Sequence, residues 1–152
     1  MKKTTIPLQS VIIGSGRHLL AALLINGELA MLLLDTGATN SVLDLKRATL
    51  FVSESEIEAV PENKEIQSAG VGGIIDFKST VLKNILLGDL EITDYPIALT
   101  DLHHVNSLYA VFNEQPIDGI LGGDILANYH AKIDYKKQIL TLYEYKRRIK
   151  KV

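Results

Sequence analysis

Asn26-Gly27 lies between two apolar runs, and it constrains the fold of this chain more than any other pair of residues. Asparagine and glycine both tolerate positive φ, so together they form the two-residue turn of a β-hairpin. His18 to Ile25 and Glu28 to Leu34 are therefore read as its two arms. The second arm ends in Met31-Leu32-Leu33-Leu34, apolar at every position, and stops at Asp35-Thr36-Gly37. An uninterrupted apolar run bounded by turn residues reads as a buried strand. Asp35 is then expected at the strand's inner end, largely out of water. A buried, unpartnered carboxylate is costly, so it must be protonated or paired. Perturbed carboxylates gather at active sites.

The rest of the chain repeats the hairpin theme. Thr4 to Ile13 reads as a strand with an edge position marked by Pro7. Ser41-Val42-Leu43 continues extended, and Asp44 is expected to cap a short helix over Leu45 to Leu50. Ser53 to Lys64 is a polar surface connection. Residues 65–68 and 74–77 flank the glycine-rich tip Ala69-Gly70-Val71-Gly72-Gly73. Val81 to Leu87 and Glu91 to Leu99 flank Gly88-Asp89, a second hairpin. Leu102, Val105, Leu108, Tyr109 and Phe112 recur at helical spacing, predicting a helix over residues 101–112. Ile120-Leu121-Gly122 is another short apolar run. Asp124 is expected to cap a helix from Ile125 to Tyr129. Ala131 to Tyr135 and Gln138 to Tyr143 form a last hairpin. Many short strands with few helices predict a mostly β, closed barrel with short helices, spanning residues 1–145. Residues 146–152 form a basic tail, expected to be a solvated chain end.

Composition narrows the function. The chain has no cysteine, which excludes disulfides, thiolate catalysis and cysteine zinc sites. A net charge of −2 points to no nucleic-acid partner. Lys2 and Lys3 precede apolar residues as in a signal peptide, but polar and glycine residues from Gln9 to Gly16 interrupt the segment. The run from Leu19 to Ile25 is too short to span a bilayer. The expectation is a cytoplasmic protein with no membrane partner. His103 and His104 adjoin on the predicted helix and have no i, i+4 histidine partner, so no metal is expected. Tyr135, Tyr143 and Tyr145 are read as sheet-surface residues.

Asp35-Thr36-Gly37-Ala38-Thr39-Asn40-Ser41-Val42-Leu43-Asp44 resembles the catalytic loop and following strand of the retropepsin-like aspartic proteases. Ala69-Gly70-Val71-Gly72-Gly73-Ile74-Ile75 resembles their glycine-rich flap. Asp118-Gly119-Ile120-Leu121-Gly122-Gly123-Asp124-Ile125-Leu126 resembles their second apolar-apolar-glycine element and its helix, in the form associated with cellular and bacterial members. The three stretches occur in the family order. The resemblance implies an aspartic endopeptidase with the acid-protease barrel and no cofactor. It implies that Asp35 supplies one carboxylate of a catalytic pair, that Thr36 bonds across to the partner loop, and that Gly37 leaves room for substrate. It further implies that Ala38, Thr39, Gly70, Val71, Gly72 and Gly73 contact a peptide, and that Ile120, Leu121 and Gly122 back the catalytic loop. The chain has one Asp-Thr-Gly, so the second carboxylate is expected from another copy in a homodimer. Thr39 and Gly123 replace the aspartate and arginine that pair in retroviral enzymes, so contacts to the peptide main chain are expected to differ. The helix over 101–112 is extra relative to short retroviral enzymes.

Plainer readings stand beside these. Asp35 can be a structural carboxylate satisfied by backbone amides. Gly70 to Gly73 can be an ordinary loop. A barrel of this kind can also be a catalytically silent peptide-binding or protein-interaction domain, because fold alone does not entail activity.

Overall fold

The computed structural model describes residues 1–59 and 78–145. The glycine-rich tip at residues 69–73, its flanking arms and the basic tail lie outside the described residues. The strands run β1 Lys2–Ile13, β2 Gly16–Ile25, β3 Glu28–Leu34, β4 Val42–Asp44, β5 Glu58–Ala59, β6 Lys78–Leu87 and β7 Leu90–Thr100. Helix α1 His103–Val111, strand β8 Gly119–Leu121, helix α2 Gly123–Asn128, and strands β9 Lys132–Asp134 and β10 Ile139–Glu144 complete the chain.

The hairpins expected at Asn26-Gly27 and Gly88-Asp89 form there, and the last one forms with a longer turn, over residues 135–138. Ile25 pairs with Glu28 across Asn26-Gly27, whose φ values are both positive. Leu87 pairs with Leu90 across Gly88-Asp89, and Ile139 with Asp134 across the last turn. Sheet order then closes on itself. Strands β6, β7, β4, β8, β3 and β2 are successive neighbours, and β2 pairs back onto β6 through Leu24↔Leu86 and Ile25↔Ile85. The result is a closed six-stranded β-barrel with β1, β10 and β9 extending the sheet. Closure leaves the ring strands no free edge within it.

Strand β1 serves two partners. Lys2 to Pro7 pairs with β10, whereas Leu8 to Ile13 pairs with β2. Pro7 stands where the strand changes partner, a place where its missing N–H disrupts neither ladder.

Two apolar clusters form. Alternating residues of β2 and β3, among them Ala21, Leu23, Ile25, Ala30 and Leu32, fill the main core with Leu43, Leu82, Leu99 and Leu121. The opposite face of the same strands carries Leu20, with Met31 and Leu33 half-buried, and α1 covers it with Leu102, Tyr109 and the following Ile117. That second cover explains why Leu19, Leu20 and Ala21 are buried in succession.

Three local expectations are corrected. Helix α1 buries a narrower stripe than its spacing suggested: Leu102 and Tyr109 are buried, but Leu108 and Phe112 are 44% and 39% exposed. The helix lies on a sheet face, so only residues on the contact line are covered. Asp44 does not start a helix over 45–50. A turn over residues 45–47 and one 3-10 turn, Ala48–Leu50, stand in its place; Asp44 still makes the capping contact, accepting from the Arg47 N–H at 3.1 Å, while its other oxygen accepts from the Leu102 N–H at 2.9 Å. Asp124 does not cap α2. It sits in the first turn, after Gly122 at the cap position, with its carboxylate turned toward Ser41 and Tyr95.

Candidate active site

Strand β8 lies between β3, to which it is parallel, and β4, to which it is antiparallel. The chain leaving β3 must therefore cross the end of β8 to reach β4. Residues 35–41 make that crossing, so Asp35-Thr36-Gly37 forms a loop seated on Leu121-Gly122-Gly123. Non-local hydrogen bonds fasten it. The Asp35 N–H donates to the Leu121 carbonyl at 3.0 Å, Gly123 N–H to the Ala38 carbonyl at 2.7 Å, and Asp124 N–H to the Thr39 carbonyl at 3.1 Å. The Gly122 N–H donates to Ser41 Oγ at 2.9 Å.

The far end of the loop is held by a carboxylate. Asp124 Oδ1 accepts from the Ser41 N–H at 2.9 Å and from the Ser41 hydroxyl at 2.7 Å. Its other oxygen accepts from the Tyr95 hydroxyl on β7. Burial first, and then the bond to Asp124, push the Tyr95 phenol above its ordinary range, so it stays a donor. One side chain thus ties β7, α2 and the start of β4 to the loop.

Close approach fixes the glycine at 122. A Cβ there would stand 2.9 Å from the Ala38 carbonyl oxygen and 2.9 Å from the Asn40 carbonyl carbon. The φ at Gly122 is −105°, which any residue adopts, so space and not conformation demands glycine.

At the near end, Asp35 Oδ1 accepts from the Gly37 N–H at 2.9 Å. Its second oxygen makes no hydrogen bond among the described residues. Asp35 is partly exposed in the single chain, not buried as its strand suggested: β3 ends one residue earlier, and its last residues Leu33 and Leu34 are themselves only half-buried. The buried aspartates, by contrast, are engaged at both oxygens. Asp118 takes Arg47 Nε at 2.6 Å and the Met31 N–H at 2.8 Å. Asp44 takes the two backbone donors described above.

A model of the aspartyl protease family matches residues 21–125 of the 152. This chain belongs to that family. Solved structures agree on the fold. A retropepsin-like aspartic protease from Rickettsia conorii aligns at 18% identity, over 94% of this chain and 96% of its own, with a TM-score of 0.55. The retroviral protease-like domain of Ddi1 from Leishmania major aligns at 20% identity, over 84% and 90%, with a TM-score of 0.55. EIAV protease, solved with the inhibitor HBY-793, aligns at 25% identity, over 82% and 99%, with a TM-score of 0.54. No curated protein matches the sequence.

Within this aspartyl protease fold the expected site residues fall as follows. Asp35, Thr36 and Gly37 come together at the loop tip, with Thr36 and Gly37 exposed. The Thr36 hydroxyl makes no hydrogen bond among the described residues. Ala38 and Thr39 offer their carbonyls inward to α2, and the Thr39 residue itself is exposed. Ile120 is half-buried, and Leu121 and Gly122 are buried directly under the loop. Gly70, Val71, Gly72 and Gly73 lie outside the described residues. Sequence reasoning missed Ser41, Tyr95 and Asp124 as loop fasteners. The partner that defines Asp124, Ser41, is 83 residues away, and no local pattern announces such a bond.

A cavity of about 590 Å³ opens beside the loop's far end, walled by Asn40, Ser41, Tyr95, Ile97 and Asp124. It does not reach Asp35. Among the described residues no helix is long and apolar enough to cross a membrane, and no cluster of histidine and acidic residues could hold a metal ion.

Proposed function

We propose that this protein is an aspartic endopeptidase whose catalytic pair is Asp35 from each of two identical chains. The observation that carries the reading is Asp35 itself. It is the aspartate of the single Asp-Thr-Gly, it sits on a loop fastened from both ends, and one of its oxygens is anchored while the other has no hydrogen bond among the described residues. The buried Asp44 and Asp118 and the half-buried Asp124 are consumed by structural bonds, so none of them serves as its mate. A two-fold axis beside the loop supplies the mate as the same residue of a second copy. Peptide or protein chains are the substrate.

The chemistry follows from charge. Two carboxylates a few ångström apart cannot both ionise easily, so the pair holds one proton between them over a range of pH. This behaviour is general to aspartic proteases and is carried over to this chain. The ionised member takes a proton from a water as that water attacks the scissile carbonyl carbon. The protonated member donates to the carbonyl oxygen, giving a neutral tetrahedral diol. Collapse passes a proton to the departing amine and releases two peptides. Gly37 N–H holds Asp35 Oδ1 in place, which presents the other oxygen to its mate and the water. The Thr36 hydroxyl, without a hydrogen bond among the described residues, is available to bond the partner's loop.

The test is cleavage of a peptide library by wild type and by Asp35→Asn. The variant should retain the folded state and lose cleavage, because an amide neither accepts the water's proton nor shares one. Specific activity of the wild type should also fall on dilution as dimers dissociate. Turnover by Asp35→Asn near the wild-type rate would refute the assignment. Binding of intact peptides with no cleavage by the wild type would instead favour a silent binding domain.

A further inference from the structure

Helix α1 fills the connection between β7 and β8, and its buried Tyr109 does more than cover the sheet. The Tyr109 hydroxyl lies 2.7 Å from His18 Nδ1 on β2, with the two rings tilted at 45°. His18 is also placed by register. Strands β2 and β3 pair as Ala21↔Leu32 and Leu20↔Leu33. The β2–β3 pairing ends at Leu20↔Leu33, two residues short of His18 and Asp35; Asp35 directly follows β3, its N–H still bonded to Leu121 of β8, so His18 and Asp35 lie just past the same end of that pairing. Alternation puts His18 on the face of Leu20 and Asp35 on the face of Leu33, which is one face of the sheet.

The hydrogen-bond direction follows from burial. Tyr109 has no exposed surface, and its hydroxyl has no other acceptor among the described residues. Burial, then the charge of Glu114, pushes its phenol up to about 12, so it keeps its proton. The phenol therefore donates to His18 Nδ1. The ring's proton then resides on Nε2, and His18 is part-exposed, so the Nε2–H edge is the one left to meet a ligand.

We propose that His18, oriented by Tyr109, is a specificity-determining hydrogen-bond donor beside Asp35. It selects substrates whose side chain next to the scissile bond carries an oxygen acceptor, such as glutamine. This rests on the endopeptidase reading above. In the two-fold dimer one His18 flanks each side of the scissile bond, so the preference applies to both adjoining residues.

Two measurements test it on the whole 152-residue chain. The first is the tautomer of His18, read by long-range proton–nitrogen correlation in uniformly nitrogen-labelled protein. The Nε2–H form is expected, and Tyr109→Phe should abolish the bias. An Nδ1–H form in the wild type would overturn the inference. The second is titration calorimetry with two peptides based on the best-cleaved library sequence. Each has a reduced CH₂–NH link in place of the scissile amide, and they differ only in glutamine or near-isosteric methionine beside it. Wild type should bind the glutamine peptide about three- to tenfold more tightly, the range one neutral hydrogen bond provides. His18→Phe should bind both alike and still cleave the methionine version of the substrate. Cleavage and binding without discrimination by the wild type, or discrimination kept by His18→Phe, would overturn the role of His18 alone. Failure of the folded wild type to cleave or bind any peptide would overturn the endopeptidase reading and this role together.

Discussion

Replacing Gly122 by alanine tests how tightly the catalytic loop is seated. The added methyl would stand 2.9 Å from Ala38 O, 2.9 Å from Asn40 C and 3.0 Å from Asn40 O, whereas ordinary contact begins at 3.4 Å. Relief requires a movement of about 0.5 Å, the difference between 3.4 and 2.9 Å. All three contacts are backbone atoms of the loop, so no side chain can rotate away. The loop cannot lift freely either, because Gly123 N–H, Asp124 N–H and the Ser41–Asp124 pair hold the same segment. Overpacking of this kind costs about 1–3 kcal/mol. Misplacement of reacting groups by about 1 Å can cost roughly a hundredfold in rate, so a half-ångström shift should cost about tenfold or more. Urea unfolding and peptide cleavage measured on one preparation give both quantities. A destabilisation of about 1–3 kcal/mol with at least about a tenfold loss in kcat/KM is expected. Wild-type stability with wild-type turnover would refute the argument that space under the loop is filled. Gly119→Ala provides the contrast. Its Cβ would fall 2.3 Å from Val42 O, within the β4–β8 pairing, so it should unfold the barrel before it alters the rate.

Further outcomes follow from the fasteners. Asp124→Asn keeps the shape but weakens acceptance from Ser41 and Tyr95; a loss of about 1–3 kcal/mol by chemical denaturation is expected, and no loss would show the triad to be ornamental. Arg47→Met strips the charge partner from Asp118, which is 7% exposed while Arg47 is 34% exposed. Discounted for that solvent contact, about 1–3 kcal/mol of stability should be lost in thermal or urea unfolding. In alkali, Tyr95 and Tyr109 ionise at higher pH folded than unfolded. Stability is therefore full below pH 10.0, the ordinary phenol value, and falls as pH rises through the folded pKa, about 12 for Tyr109. Tyr109→Phe should flatten that fall, and an unchanged pH profile of unfolding would contradict the assigned shift.

What the sequence disclosed was local. Asn26-Gly27 and Gly88-Asp89 marked hairpins because two residues set the turn and the turn sets the register. Asp35-Thr36-Gly37 and Ile120-Leu121-Gly122 were visible as motifs, and the structure seats one upon the other. The parallel pairing of β3 with β8 was invisible, since nothing in residues 32–34 names residues 119–121 as neighbours. Asp124 was misread for the same reason. A carboxylate before an apolar run looks like a cap, and only Ser41 and Tyr95 reveal its other use. The depth of Asp35 was overestimated because the last residues of β3, Leu33 and Leu34, are themselves only half-buried. The stripe on α1 came out too wide because a helix laid on a sheet buries a line, not a broad arc.

The most direct test of the paired-Asp35 mechanism mixes chains. Asp35→Asn protein is added in ninefold excess to wild type, the two are allowed to exchange subunits, and cleavage is measured at fixed wild-type concentration. If each site needs one Asp35 from each copy, mixed dimers are inactive. Random exchange leaves about one tenth of the wild-type chains with a wild-type mate, so activity should fall to about a tenth. Activity that stays at its starting value after exchange is complete would contradict the account.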